Sequence, residues 1–113
     1  MVDDFYAKIK QGDYEGTLSL YHDKWFNVAS REQTLSFLKK IDEKLGVVQT
    51  YELSDWNSQS YVGIGGSGNY VTLAYSVNRT RYNSTERFTI FNPQGTDAFY
   101  ILGYDVNSMG LVE

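Results

Sequence analysis

The chain has 113 residues, 42% hydrophobic and 21% charged, which is enough apolar material for one ordinary folded domain and too little for a second core. Its formal net charge of −4 repels phosphate backbones and anionic membranes at long range, so nucleic acid is not an expected partner. The absence of cysteine excludes disulfides, Cys-ligated metals and thiol nucleophiles, and no run approaches the roughly 18 apolar residues that span a bilayer.

Met1-Val2-Asp3-Asp4 carries neither the basic region nor the apolar stretch of a signal peptide, although an export signal removed ahead of it is compatible with the sequence. Asp3 and Asp4 early, Phe5 and Ile9 within, and Lys8 and Lys10 late predict a short helix over 3–11, ended by Gly12-Asp13. Tyr14, Leu18 and Tyr21 recur at helical spacing and predict a second helix over 14–21, closed by His22-Asp23-Lys24. The third helix has the clearest signals. Ser30 stands where a cap is needed, Gln33 completes a capping box, and Gly46 stands where a left-handed C-cap is wanted. Thr34, Phe37, Leu38, Ile41 and Leu45 share the face that must pack.

After Gly46 the period changes from 3.6 to 2. Strands are predicted over 47–56, 70–81, 85–92 and 98–107, and the run 61–64 either ends the first or forms a fifth. The breaks at 65–69, 82–84 and 92–95 carry turn chemistry, which makes the neighbours antiparallel. Val71, Leu73, Tyr75 and Val77 share the face expected to meet the helices. The expected architecture is one α+β domain over 1–113, with N-terminal helices packed on a curved antiparallel sheet of four or five strands.

Several short passages carry a resemblance. They are Gly12-Asp13-Tyr14-Glu15 opening a helix, Trp25-Phe26 with Ser30 before the main helix, Leu45-Gly46 closing it, Asn69-Tyr70-Val71-Thr72-Leu73-Ala74-Tyr75, and Ile101-Leu102-Gly103-Tyr104. In these and in element order the chain resembles the small cone-shaped domains of the NTF2-like and cystatin-like superfamily, above all its bacterial members. The resemblance implies a cone used as an enzyme pocket, a ligand site or a protein interface, and an extracytoplasmic address, periplasmic or lipid-anchored after processing. Protease inhibition of the cystatin kind is not expected, because Gln49-Thr50-Tyr51-Glu52-Leu53 lacks the Val and Gly of a Gln-x-Val-x-Gly hairpin.

Few residues suggest chemistry on their own. The stretch Gly63-Ile64-Gly65-Gly66-Ser67-Gly68 superficially matches a phosphate loop, but a strand pattern follows it where a helix N-terminus is required, so it reads as a hairpin turn. His22 beside Asp23 has no further ligands spaced for a metal and reads as a surface polar residue; no metal or cofactor is expected. Arg79, Arg81 and Arg87 gather near one hairpin, where they read as a solvated strand end with room for a small anion. Asn78-Arg79-Thr80 and Asn83-Ser84-Thr85 are acceptor sequons that matter only in a eukaryotic secretory chain.

The resemblance adds the expectation of a carboxyl group and a Tyr inside an apolar cone, for which Asp105, Asp55 and Tyr75 are the candidates. Strict alternation puts Asp105 on the side of Phe99, Ile101 and Gly103, opposite Tyr100, Leu102, Tyr104 and Val106, and leaves open which side is concave. Trp25, Tyr75, Tyr104 and Trp56 are the candidate ligand-binding residues, since aromatic rings with a polar tip suit half-dry walls. The leading expectation is a non-catalytic module of an exported protein that holds a small apolar ligand or a partner protein. The alternatives are a small-molecule enzyme of the isomerase, dehydratase or hydrolase kind, and a homodimer packed through its sheets. Ligand, partner, oligomeric state and compartment are not legible in the residues.

Overall fold

A computed structural model describes residues 1–61 and 68–111, and its elements change type at Gly46 as the periodicity requires. Helix α1 (Val2–Lys10) has Asp3 and Asp4 in its first turn and Lys8 and Lys10 in its last, charges that oppose the helix dipole. It buries Val2, Phe5, Tyr6 and Ile9, a stripe of helical spacing. The predicted second helix tightens into a 3-10 helix, Glu15–Leu20, and another short 3-10 segment, Asp23–Asn27, follows His22. Helix α2 (Arg31–Leu45) carries the full capping box: the Gln33 amide donates to Ser30 Oγ at 3.0 Å and the Ser30 amide to Gln33 Oε1 at 2.9 Å. Thr34, Leu38, Ile41 and Leu45 are buried, whereas Phe37, expected on the same face, stays 36% exposed at its margin. Gly46 has φ +86° but an extended ψ of 175°, so it leads directly into the first strand and does not close a left-handed cap.

The sheet has four strands in the order β1 (Val48–Tyr61), β2 (Gly68–Arg79), β3 (Ser84–Pro93) and β4 (Tyr100–Asn107), each antiparallel to its neighbour. The run 62–64 and the glycine-rich stretch 63–67 lie outside the described residues. Cross-strand pairs Leu53–Tyr75, Leu73–Phe88, Val71–Ile90 and Phe88–Tyr104 define the face turned to the helices. Phe5 and Tyr6 of α1, both fully buried, wedge into it: Phe5 lies 5.1 Å from Phe88 between ring centroids, and Tyr6 stacks on Tyr51 at 4.3 Å. Each such side chain contributes about 1.5–3 kcal/mol by burial, more than the α2 cap at about 1 kcal/mol, so packing on the sheet dominates. The result is an α+β fold of helices on a curved, open antiparallel sheet.

Besides a register shift between Val48 and Thr50, two irregularities decide where the candidate carboxylates point. One interrupts β1 between Leu53 and Asp55, so that Trp56, not Asp55, lies opposite Leu73. The other lies in β4, where Gly103 faces Thr89 but Ile101 faces Ile90, leaving Leu102 as the extra residue. A bulge shifts the side-chain phase by one residue. Strict alternation had grouped Ile101 with Asp105; the bulge instead sends Ile101 into the core with Tyr104 and leaves Asp105 exposed on the outer face. Among the described residues no helix is long and apolar enough to cross a membrane.

Candidate functional site

Two arrangements on the helix-facing side carry the unusual chemistry: a closed polar cluster and an open apolar groove. The cluster forms because alternation puts Arg79 at the end of the face bearing Val71 to Val77, while Glu86 shares the face of Phe88 and Ile90. Charges on an apolar face must be paired. Arg79 Nη1 reaches Asp42 Oδ1 at 2.8 Å and the Gly46 carbonyl at 3.0 Å, and its Nε and Nη2 meet Glu86 Oε2 at 2.9 and 2.8 Å. Ser84 Oγ also donates to Glu86 Oε2, at 2.6 Å, and the hydroxyls of Tyr6 and Tyr104 donate to Glu86 Oε1 at 2.8 and 2.6 Å. Tyr14 donates to Asp42 Oδ2 at 2.6 Å.

Burial first, then the Glu86 charge, pushes the Tyr6 and Tyr104 hydroxyls far above the usual tyrosine range. Burial and the hydrogen bond to Asp42 raise Tyr14 to about 12. For Arg79, burial alone would weaken protonation, but Glu86 and Asp42 reverse this and hold the guanidinium above its ordinary value. Glu86 is 0% exposed and every polar group around it is satisfied. The cluster therefore has no free acid, base or donor to offer a substrate. It ties α1, α2 and strands β2 to β4 together.

The groove lies at the other end of the same face. The first turn of α1 supplies one wall through Met1, Val2 and Asp3; Val71, Leu73 and Tyr75 of β2 with Ile90 of β3 form the floor, and Phe99 closes the far side. Its volume is about 400 Å³, within the range of small-molecule sites. Leu53 and Trp56 extend its apolar rim along β1, and Trp56 and Phe99 remain 65% and 52% exposed. Among the described residues of the lining Asp3 supplies the one charged side chain, next to the α-amino group of Met1. Asp3 Oδ1 accepts the Tyr51 hydroxyl at 2.7 Å, a bond that, with some burial, raises Tyr51 to about 12.

The candidate residues divide between this groove and other places. Tyr75 lies in the groove floor and Trp56 beside it. Trp25 and Tyr104 line a separate hollow of about 370 Å³ with Phe37 and Thr34, where Trp25 Nε1 donates to Thr34 Oγ1 at 2.9 Å. Asp55 is exposed and accepts from the Trp56 amide at 2.8 Å; Asp105 is exposed opposite Arg87. Neither offers a desolvated carboxyl group. Of the three arginines, Arg79 is buried in the ion pairs above, Arg81 donates to the Glu43 carbonyl at 3.1 Å, and Arg87 stands exposed on the outer face, so they form no common anion site. His22 uses Nδ1 to accept the Lys24 amide, and among the described residues no group of three His, Cys, Asp or Glu is placed to hold a metal.

Sequence reasoning missed Glu86, although its signal was present: a carboxylate in phase with Phe88 and Ile90 on a buried strand face. Comparisons with protein-family models, with curated proteins and with solved structures find no match for this chain.

Proposed function

We propose that the protein is a non-catalytic binding module whose groove between the first turn of α1 and strands β2 and β3 holds an apolar small molecule. The observation that carries this reading is the groove itself. Soluble proteins bury such side chains when packing allows, yet Leu73, Tyr75 and Phe99 line an open hollow beside a 65% exposed Trp56. The exposed positions of Asp55 and Asp105 leave the acid-and-tyrosine enzyme reading without its carboxyl group, and the saturated Glu86 offers no replacement. Helices ahead of a curved antiparallel sheet support membership of the NTF2-like group. An exported setting belongs to the same reading.

The test is titration of a neutral apolar dye such as Nile red. Leu73→Glu places a charge in the groove floor and should weaken binding at least about tenfold, because an unpaired charge resists desolvation. Phe37→Glu, in the hollow beside Trp25, should leave binding unchanged. The opposite pattern would move the site to that second hollow.

A further inference from the structure

We propose that the open edge of β1 between Glu52 and Ser58 takes up an extended peptide whose side chains alternate between apolar and basic. The edge adjoins the groove, but the inference does not depend on a ligand there. β1 is a terminal strand of the sheet, paired with β2 on one side and with no described element on the other. The opposite edge is partly covered: Tyr21 bridges to Ile101 of β4, and the His22 amide donates to the Ile101 carbonyl at 2.8 Å. An edge strand presents a row of backbone donors and acceptors that a further extended backbone matches. Lys or Pro commonly blunts such an edge, and the stretch from Glu52 to Ser58 has neither.

The side chains flanking the edge set what the peptide carries. Register with β2 puts Leu53 opposite Tyr75 and Trp56 opposite Leu73 on the helix-facing side, whereas Glu52 opposite Ser76 and Asp55 opposite Ala74 stand on the outer side. Ser54, the extra residue of the bulge, keeps these rows distinct, since strict alternation would put Asp55 beside Leu53. Every residue from Glu52 to Ser58 is exposed, with Leu53 at 44% and Trp56 at 65%. An added strand therefore covers apolar surface on one side and meets two carboxylates on the other. Among the described residues neither carboxylate is in a salt bridge; Asp55 accepts the Trp56 amide. Arg87 shares the outer face but stands two strands away, opposite Ala74, and Lys10 lies over the Tyr51 ring, outside this stretch. A second copy of β1 would bring its own Glu52 and Asp55 to the edge, and like charges across a strand pair destabilise it.

The experiment follows amide chemical shifts and hydrogen exchange at pH 7 and low salt while three blocked peptides of equal length are added: alternating Lys and Val, alternating Glu and Val, and the Lys–Val composition rearranged into one block of each. The alternating Lys–Val peptide should bind tightest, by about tenfold over the Glu–Val peptide and about threefold over the block peptide, and should slow exchange of amides between Glu52 and Ser58. Its margin over the Glu–Val peptide should shrink as salt is raised. Glu52→Lys combined with Asp55→Lys changes two exposed positions and should reverse the preference between the two alternating peptides. Asp105→Lys makes the same change on the strand at the far edge of the outer face and should leave the preference as it was. Equal binding of the alternating and block Lys–Val peptides overturns strand addition, and shifts confined to β4 or to the groove overturn the site. A concentration-dependent dimer of the free protein that Trp56→Lys abolishes gives the edge to a second copy and overturns the peptide, as does absence of binding by all three.

Discussion

Glu86→Gln is the substitution that probes the buried cluster most sharply, because it changes one charge and almost no volume. The new amide oxygen can still accept from Tyr6 and Tyr104, but an amide nitrogen in place of Oε2 confronts Arg79 Nε and Nη2, donors that now sit 2.9 and 2.8 Å from a carboxylate oxygen. Arg79 keeps Asp42 and the Gly46 carbonyl, so its charge is not wholly orphaned. Breaking a buried ion pair by removing one partner costs about 3–5 kcal/mol, and the surviving Asp42 contact places this case near the lower figure, about 3 kcal/mol. Against a total stability of about 5–15 kcal/mol this is a large loss. For a chain of this length about 1 kcal/mol corresponds to roughly 4 °C in Tm, so a fall of about 12 °C is expected. Urea unfolding followed by tryptophan fluorescence, with thermal melts by circular dichroism, measures both. Arg79→Met in the same background should not add fully, falling short of the sum of the two single changes by about 1–3 kcal/mol. A Glu86→Gln protein within about 1 kcal/mol of the parent would refute the account of a desolvated ion pair.

The tyrosines predict alkaline sensitivity. Tyr6 and Tyr104 bind their protons more tightly folded than unfolded, so their contribution is complete below the unfolded value near pH 10 and is lost as pH rises beyond it. Stability measured in urea at pH 8, 10 and 11 should be flat at first and then fall, with each fully buried tyrosine contributing at most about 1.36 kcal/mol per pH unit; Tyr104→Phe should lessen the slope by about that single share, because Tyr6, Tyr14, Tyr21, Tyr51 and Tyr75, also raised, still contribute. Ser30→Ala removes the side-chain half of the α2 capping box and should cost about 1 kcal/mol in the same assay. Gly46→Ala should cost more than the cap, because φ of +86° strains an L residue and the added Cβ would collide with the Thr80 side chain; equal stability would contradict the close approach seen there.

Regular periodicity made most of the fold legible. The stripe from Val2 to Ile9, the capping box at Ser30 and Gln33, and the alternation from Val71 to Val77 each identify an element whose stability comes from one buried face. What escaped depends on departures from that regularity. Alternation assigned Ile101 and Asp105 to one face because a single extra residue, Leu102, is invisible to a period of two. Tyr75 was correctly placed facing the helices, but that part of the face lies beside the first turn of α1 as a groove and not under a helix, which a period of two does not reveal. The arginine reading failed at Arg79 for a related reason: proximity to Arg81 and Arg87 in sequence suggested a shared surface, whereas strand phase sends Arg79 inward and Arg87 outward. Phase, applied to charged residues as strictly as to apolar ones, would have paired Arg79 with Glu86.

The groove as an apolar binding site is the central claim, and amide chemical-shift mapping with decan-1-ol tests it without altering the protein. Saturable shifts should concentrate at Val71, Leu73, Tyr75, Ile90 and the α1 first turn, with little change at Trp25, Thr34 and Phe37. Shifts confined to the Trp25 hollow, or none at saturating alcohol, would contradict it.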